Sequence, residues 1–365
     1  MQPVNITVVP GDGIGKEVCQ AAVEVLTAAT RGGANLSFEF LPGGAECYTV
    51  AGTAFPKATR DACLSADAIL HGAVGLPSVI YPDGTEIGQD FSMQARELMD
   101  LYANIRPVYR YEGVASALTL DVPIDYVIVR ENTEGLYAAH GGGNTIRDEV
   151  ATDTLVMTRH GITRIVRKAA EICMARDGAP ADGKRRITIV DKANVLRSYA
   201  FFRRVALETL EEFPQIEVEV QMVDAMAAHI VQRPDSFDVI VTENIFGDIL
   251  SDLGAATVGG LGMASSAELG DRHGYFQGIH GSAPDLAGKA IANPIATILS
   301  GAMMLDWLSK KHGQQSLADA AIRIRLAVTG MLREGKHLTA DLGGSATTGQ
   351  TTQALIERMM DSQVA

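Results

Sequence analysis

Four cysteines in 365 residues, at Cys19, Cys47, Cys63 and Cys173, form no C-x-x-C pair. That scarcity excludes a disulfide framework and a zinc knuckle, and it fits a reducing compartment. No apolar run approaches the roughly 18 residues that a membrane-crossing helix needs. The stretch Met1 to Pro10 has neither a basic n-region nor an apolar h-region, so no signal peptide is expected. A soluble, cytoplasmic protein without a membrane partner follows. Basic charge is scarce as well: 31 Lys plus Arg against 44 Asp plus Glu give −13, which argues against nucleic acid as the main partner. In so acidic a chain a local arginine cluster stands out, because it must reverse the field that repels small anions.

What is present is an ordinary globular composition, 47% hydrophobic and 21% charged, in a length that suits one large unit or two domains sharing a core. Strand and helix patterns alternate, so the expected class is α/β with a largely parallel sheet. Ile6 to Val9, Leu36 to Leu41, Ala68 to Ala73, Tyr126 to Val129, Ile187 to Val190, Val218 to Val223 and Val239 to Val241 read as strands. Several run straight into polar segments: Arg130-Glu131-Asn132, Asp191-Lys192-Ala193-Asn194 and Thr242-Glu243-Asn244. Ligands of open α/β sheets sit at such carboxyl ends. Gly141 to Asn144, Asp177 to Lys184 and the glycine-dense Gly254 to Gly281 read as loops.

Four groups of residues are candidates to carry chemistry. Gly11-Asp12-Gly13-Ile14-Gly15 follows a strand, but Lys16 stands where G-x-G-x-x-G needs its last glycine; a phosphate-binding turn and a plain tight turn are both open. Asp248 and Asp252 are four apart on a predicted helix and share a face, and Asp224 follows a strand. The bland reading is a solvated acidic face. The sharper one is an oxygen-ligand site for Mg²⁺ or Mn²⁺. Arg96, Arg106 and Arg130 are candidate carboxylate grips. Lys192 is either an ion-pair member or a base with a lowered pKa, and Tyr137 either packs or donates a proton.

Together these segments resemble the β-decarboxylating dehydrogenases that act on (2R)-malate-type acids. Six motifs stand in that family's order over nearly the whole chain: Gly11 to Gly15, Asp100 to Pro107, Arg130 to Gly135, Asp191 to Asn194, Asn244 to Asp252 and His280 to Asp285. The resemblance implies a non-Rossmann fold of two domains with a central cleft. The large domain is expected from residues 1–101 plus 259–365, and the small one, with the dimer interface, from 102–258.

It further implies a homodimer with shared sites. Arg96, Arg106 and Arg130 would bind the substrate carboxylates, and Asp248 and Asp252 would hold Mg²⁺ or Mn²⁺ with Asp224 of the other subunit. Tyr137 and the other subunit's Lys192 would be the acid/base pair, beside Asn194. His280, Gly281, Ala283, Asp285 and Asn293 would bind NAD. Asp285 points to NAD over NADP, because a carboxylate accepts from ribose hydroxyls and repels a 2′-phosphate. K⁺ is a further candidate ion.

The chain departs from the family pattern in two places. Gln277 replaces the glutamate expected before the His280 loop, and Gln89, Asp90, Ser92 and Met93 make a mixed wall near Arg96. The substrate ranking is 3-isopropylmalate, then tartrate or D-malate, then isocitrate or homoisocitrate. The rival readings are a catalytically silent ligand-binding relative and a metal-free Rossmann oxidoreductase.

Overall fold

A computed structural model describes residues 3–361. Its N-terminal third contains β1 (Val4–Gly11), α1 (Gly15–Thr30), β2 (Leu36–Phe40), α2 (Ala45–Ala51), α3 (Lys57–Ser65), β3 (Ala68–Ala73) and α4 (Gln89–Leu98). The middle contains β4 (Ala103–Tyr109), β5 (Asp125–Glu131), the short β6 (Asn144–Ile146) and β7 (Val150–Thr152), and α5 (Arg159–Met174). There follow β8 (Arg186–Asp191), α6 (Arg197–Leu210), β9 (Glu217–Met222), α7 (Val223–Gln232), β10 (Val239–Thr242) and α8 (Asn244–Thr257). The last part is β11 (Ser265–Leu269), β12 (Gly274–Gly278), α9 (Ile295–His312), α10 (Gln315–Glu334) and α11 (Thr348–Asp361).

Ten strands form one sheet in the order β2-β1-β3-β12-β11-β4-β5-β10-β8-β9, while β6 and β7 pair separately. The outer pairings are parallel, as the alternating pattern predicts, but β12–β11, β11–β4 and β4–β5 at the centre are antiparallel. The five strands on one side come from residues 4–73 and 265–278, and the other five from 103–242.

One expectation fails here. The stretch Gly254 to Gly281 is not loop throughout, since it carries β11 and β12, two central strands. Its glycines mark close approaches and turns, not absence of pairing: a Cβ on Gly274 would press on Phe276 and Trp307. The loop read at Gly141 to Asn144 likewise ends as β6 begins.

Side chains alternate across the sheet with period two. Val127, Val129, Ile187, Ile189, Val239 and Val241 join the large core under α5 and α6, which continues under α1, α9 and α10. The opposite face has two separate apolar clusters. Ile69, Phe91, Ala95 and Tyr275 form one beside α4, and Tyr126, Ile128, Ile240 and Leu250 form the other beside α7 and α8. The gap between those clusters is where the sheet turns polar.

Candidate active site

Three strands set the gap's floor by register alone. Glu268 on β11 lies opposite Asn104 on β4, and Asn104 lies opposite Arg130 on β5. Residues directly opposite share a face, so a glutamate, an amide and a guanidinium stand in one row. Gln277 on β12 and His71 on β3 extend the row through a neighbouring register. All but Gln277 are buried. Polar groups at such depth must satisfy one another, and the hydrogen bonds show that Glu268, Asn104, Arg130 and Gln277 find partners. His71 instead donates from Nδ1 to the Val9 carbonyl (2.8 Å), and its Nε2 has no partner among the described residues.

Arg130, 1% exposed, donates from Nε (3.0 Å) and Nη2 (2.7 Å) to Asn244 Oδ1, and from Nη1 to Asp248 Oδ1. Arg106 donates from Nη1 to Asp248 Oδ1 (3.1 Å) and Ser251 Oγ (2.6 Å), and from Nε to Asn104 Oδ1 (3.2 Å). The Tyr137 hydroxyl donates to Asp248 Oδ2 at 3.1 Å, and its ring lies 5.6 Å from the Arg130 guanidinium carbon. Asp252, one turn along α8, is 3.8 Å from Arg106 Nη1. Two guanidiniums, a phenol and an aspartate therefore converge on one point. α8 is aimed there by its start: Glu243 caps the helix, accepting from the backbone N–H groups of Ile245 and Phe246.

The two aspartates are driven in opposite directions. Burial would raise the Asp248 pKa, but Arg130 and Arg106 outweigh it and hold the carboxyl below its ordinary value. Burial raises that of Asp252, and the nearby Asp248 adds to the rise. Such a pair gains from a cation set between them. Burial also raises the Tyr137 phenol, with Asp248 adding to it, so the hydroxyl keeps its proton near neutrality.

Arg96 closes the other end of the row. It does not stand free as a carboxylate grip: Nε and Nη2 each donate to Glu268 at 2.9 Å. Glu268 also accepts from Asn104 (3.2 Å), Asn132 (2.9 Å) and Gln277 (2.9 Å). Burial alone would raise the Glu268 pKa, yet Arg96 and these donors bring it down to about 2. A carboxyl whose folded pKa lies below its unfolded value near 4.5 contributes stability above about pH 4.5. That contribution is lost as the pH falls toward 2. Wild type should therefore lose stability over that acid window, by denaturant titration at stepped pH, and E268Q should show a shallower loss. Equal slopes in the two proteins would remove Glu268 from the acid response.

Lys192 and Asp224 form a second group, with Nζ 2.5 Å from Oδ1. Asp224 stands in the first turn of α7, and Lys192 directly follows β8. Asp191, fully buried, ties that corner down by accepting from Ala193 N (2.8 Å) and Arg203 Nε (2.8 Å). Beyond it Asn194, Val195 and Leu196 are exposed. Neither Lys192 nor Asp224 bonds to Tyr137, Asp248 or Asp252, and among the described residues no group of three metal-ligating side chains occurs within one chain.

The third group is the loop from His280. His280 Nδ1 donates to the Gly281 carbonyl (3.1 Å), and Nε2 lies 3.3 Å from Thr297 Oγ1; burial lowers the imidazole pKa, which favours the neutral ring. Ala283 takes φ 39°, an unusual conformation for a side-chain-bearing residue, and Asp285 is exposed. Asn293 is spent on the scaffold, donating to Asp341 (2.9 Å) and accepting from Ile295 N (3.0 Å).

The glycine-rich opening has a structural use here. A Cβ on Gly11 would overlap the Ala73 carbonyl, and one on Gly13 would overlap that of Ser282. Ile14 N donates to the same Ser282 carbonyl at 2.8 Å. The turn thus braces the His280 loop. Asp12 accepts from Ala45 N (2.9 Å), Glu46 N (2.8 Å) and Gly75 N (2.8 Å), fixing the neighbouring turns.

Sequence reasoning missed Glu268, Asn104, Asn132, Asn244 and Ser251 as site members. Asn104 and Asn132 sit inside quoted motifs and Asn244 opens another. Glu268 could have been noticed as a lone charge in the uncharged run Ser265-Ser266-Ala267-Glu268-Leu269.

Known proteins resemble this chain over nearly its whole length. The family model for isocitrate/isopropylmalate dehydrogenase matches residues 5–359. The chain is 42% identical over 358 residues to the 3-isopropylmalate/3-methylmalate dehydrogenase of Methanocaldococcus jannaschii, covering 98% of this chain and 99% of that one. It is 39% identical over 365 residues to the D-malate dehydrogenase [decarboxylating] of Escherichia coli, with 97% and 98% covered. Among solved structures, isocitrate dehydrogenase from Methylococcus capsulatus superposes with a TM-score of 0.86 at 37% identity, covering 97% of this chain and 99% of that one. The β-decarboxylating dehydrogenase from Thermococcus kodakarensis does so with 0.77 at 36% identity, covering 99% and 97%.

Proposed function

The chain belongs to the isocitrate/isopropylmalate dehydrogenase family of β-decarboxylating oxidoreductases, and from that premise we propose that it oxidatively decarboxylates a 3-substituted (2R)-malate with NAD and Mg²⁺ or Mn²⁺. 3-Isopropylmalate is the first-ranked substrate, and D-malate or tartrate the second, in keeping with the relatives' names. The observation that carries this reading is the convergence of Arg106, Arg130 and Tyr137 on Asp248.

The donors fit a hard divalent ion. Asp248 and Asp252 offer oxygens from one face of α8, and two aspartates fall short of the six oxygen ligands such ions prefer. Asp224, exposed at a helix start beside Lys192, is the third carboxylate, brought by a second copy. The exposed apolar residues next to these groups in the chain, Val195 (68%) and Ile249 (62%), give that copy a surface to cover. The halves of the molecule, 1–101 plus 259–365 and 102–258, act in this reading as the large and small domains on either side of the cleft. The His280 loop holds NAD, with Asp285 on the ribose and against a 2′-phosphate.

When bound, the divalent ion supplies Lewis-acid pull on the 2-hydroxyl and carboxylate oxygens, and the nicotinamide supplies the hydride acceptor. The chain's own residues do the rest. Arg106 and Arg130 orient the substrate carboxylates, with the guanidiniums that meet on Asp248 as the donors. Lys192 of the second copy, as the neutral amine and no longer paired with Asp224, accepts the hydroxyl proton and becomes the ammonium. Tyr137, protonated in its half-buried setting beside Asp248, delivers a proton to C3 after CO₂ leaves.

The test is NADH formation with 3-isopropylmalate, D-malate, tartrate and isocitrate, in Mn²⁺ and again in excess chelator. Turnover of at least one acid with NAD, abolished by chelator, is the expected result. Activity that survives chelation would sink the metal role. No turnover of any acid would favour a silent ligand-binding relative.

A further inference from the structure

The mechanism leaves one buried carboxylate unused. Glu268 is 1% exposed and accepts five hydrogen bonds, two of them from Arg96 in a fork. A carboxylate held this way is not displaced by a substrate carboxylate competing for the same two nitrogens, because leaving would strand it unpaired in the interior. Arg96 is thus fixed in direction, with Nη1 the nitrogen that Glu268 does not take. It is also cancelled in charge. Of three guanidiniums in the cleft, Arg96, Arg106 and Arg130, one is neutralised by Glu268, permanently as far as the substrate is concerned.

The wall beside Arg96 adds nothing positive. α4 carries no cation other than Arg96, and its first turn presents Asp90, which accepts from the Tyr81 hydroxyl at 2.6 Å and meets His140 Nε2 at 3.0 Å. A third carboxylate placed beside Arg96 would meet a guanidinium whose Nε and Nη2 are already taken by the Glu268 carboxylate, so that it faces a like charge at close range.

We propose that Glu268 is a positioning and specificity-determining residue: it tethers Arg96 and sets the cleft's charge so that it takes hydroxy acids with two carboxylates and an uncharged C3 substituent, and discriminates against tricarboxylic ones. The proposal rests on the functional reading above and narrows its substrate class.

Wild type, E268Q and the E268Q/Q277E double variant are compared with D-malate and isocitrate in Mg²⁺, by calorimetric titration without cofactor and by NADH formation. Gln277 Nε2 lies 2.9 Å from Glu268, so the double variant moves the carboxylate one strand across and keeps a hydrogen-bonded pair. In E268Q the ratio of isocitrate to D-malate affinity, and of their kcat/KM values, should rise about tenfold or more, the order expected for removing one charge at close range. The double variant should return the ratio toward wild type. A purely structural role would weaken both acids alike and leave the ratio unchanged, and that result overturns the proposal. Should E268Q not fold, the double variant decides: a wild-type ratio supports the proposal and a tricarboxylate-favouring ratio overturns it. If wild type oxidises neither these acids nor 3-isopropylmalate or tartrate, the functional reading falls separately, while the calorimetric ratio still judges the charge argument.

Discussion

Lys192→Met should reduce kcat by roughly 10²–10⁴, the range that a positioned acid/base group contributes, while Mn²⁺-dependent substrate binding changes little. Methionine keeps the length of the lysine stem and removes its charge and protons. The geometry singles this residue out because it is held, not loose. Asp191 is fully buried and bonded to Arg203, which fixes the corner where the strand ends, and Asp224 fixes the ammonium itself at 2.5 Å. Within the single chain, then, Lys192 is an ion-pair lysine. If that were its whole role, loss of the exposed pair would cost little stability and nothing in turnover. Steady-state kinetics beside calorimetric binding separates the two roles. Undiminished kcat would remove Lys192 from the chemistry.

The parts of this molecule that were legible in the sequence are those where one local rule acts. Ile6 to Val9, Ala68 to Ala73 and Ile187 to Val190 are β-branched or apolar runs buried on both faces, and they fold as strands. β4 was hidden because Pro107 breaks the pattern. The proline is tolerated because β11 pairs only with Ala103 to Ile105, so that at Pro107 only the β5 side is occupied. β11 and β12 were hidden by their glycines and by Ser265, Ser266 and Glu268, polar residues that look like loop. Their pairing with distant strands overrides weak local preference.

The site divides the same way. Asp248 with Asp252 could be placed from helical spacing, whereas the meeting of Glu268 with Arg96 across 172 positions depends on how helix α4 lies against strand β11, two elements far apart in the chain. The clamp role expected of Arg96 illustrates the difference. Its identity was visible, but its partner was not.

Asp248→Asn should be the most damaging single change. Among the described residues, the Asp248 carboxylate is the only acidic group on which Arg130 Nη1, Arg106 Nη1 and the Tyr137 hydroxyl converge. Asparagine keeps one acceptor oxygen and the shape, but leaves two buried guanidiniums facing each other without the charge between them. Breaking a fully buried pair costs about 3–5 kcal/mol. Asp248 is 37% exposed, so screening should bring the loss to about 1–3 kcal/mol. The catalytic loss should be larger, roughly 10³ in kcat/KM, with Mn²⁺ affinity down by about 100-fold or more, since both the ion and the two arginines depend on this group.

The same variant tests whether two copies share the site. An inactive Asp248→Asn dimer, unfolded and refolded together with an inactive Lys192→Met dimer, yields mixed dimers in which one of the two sites has both residues intact. With random pairing, activity should return to about a quarter of wild type. Recovery to that level places Lys192 and Asp248 in one site contributed by different chains. Persistent inactivity of a mixture shown to contain mixed dimers would mean that each chain builds its site alone, and Lys192 would then have to act from where it stands, beside Asp224.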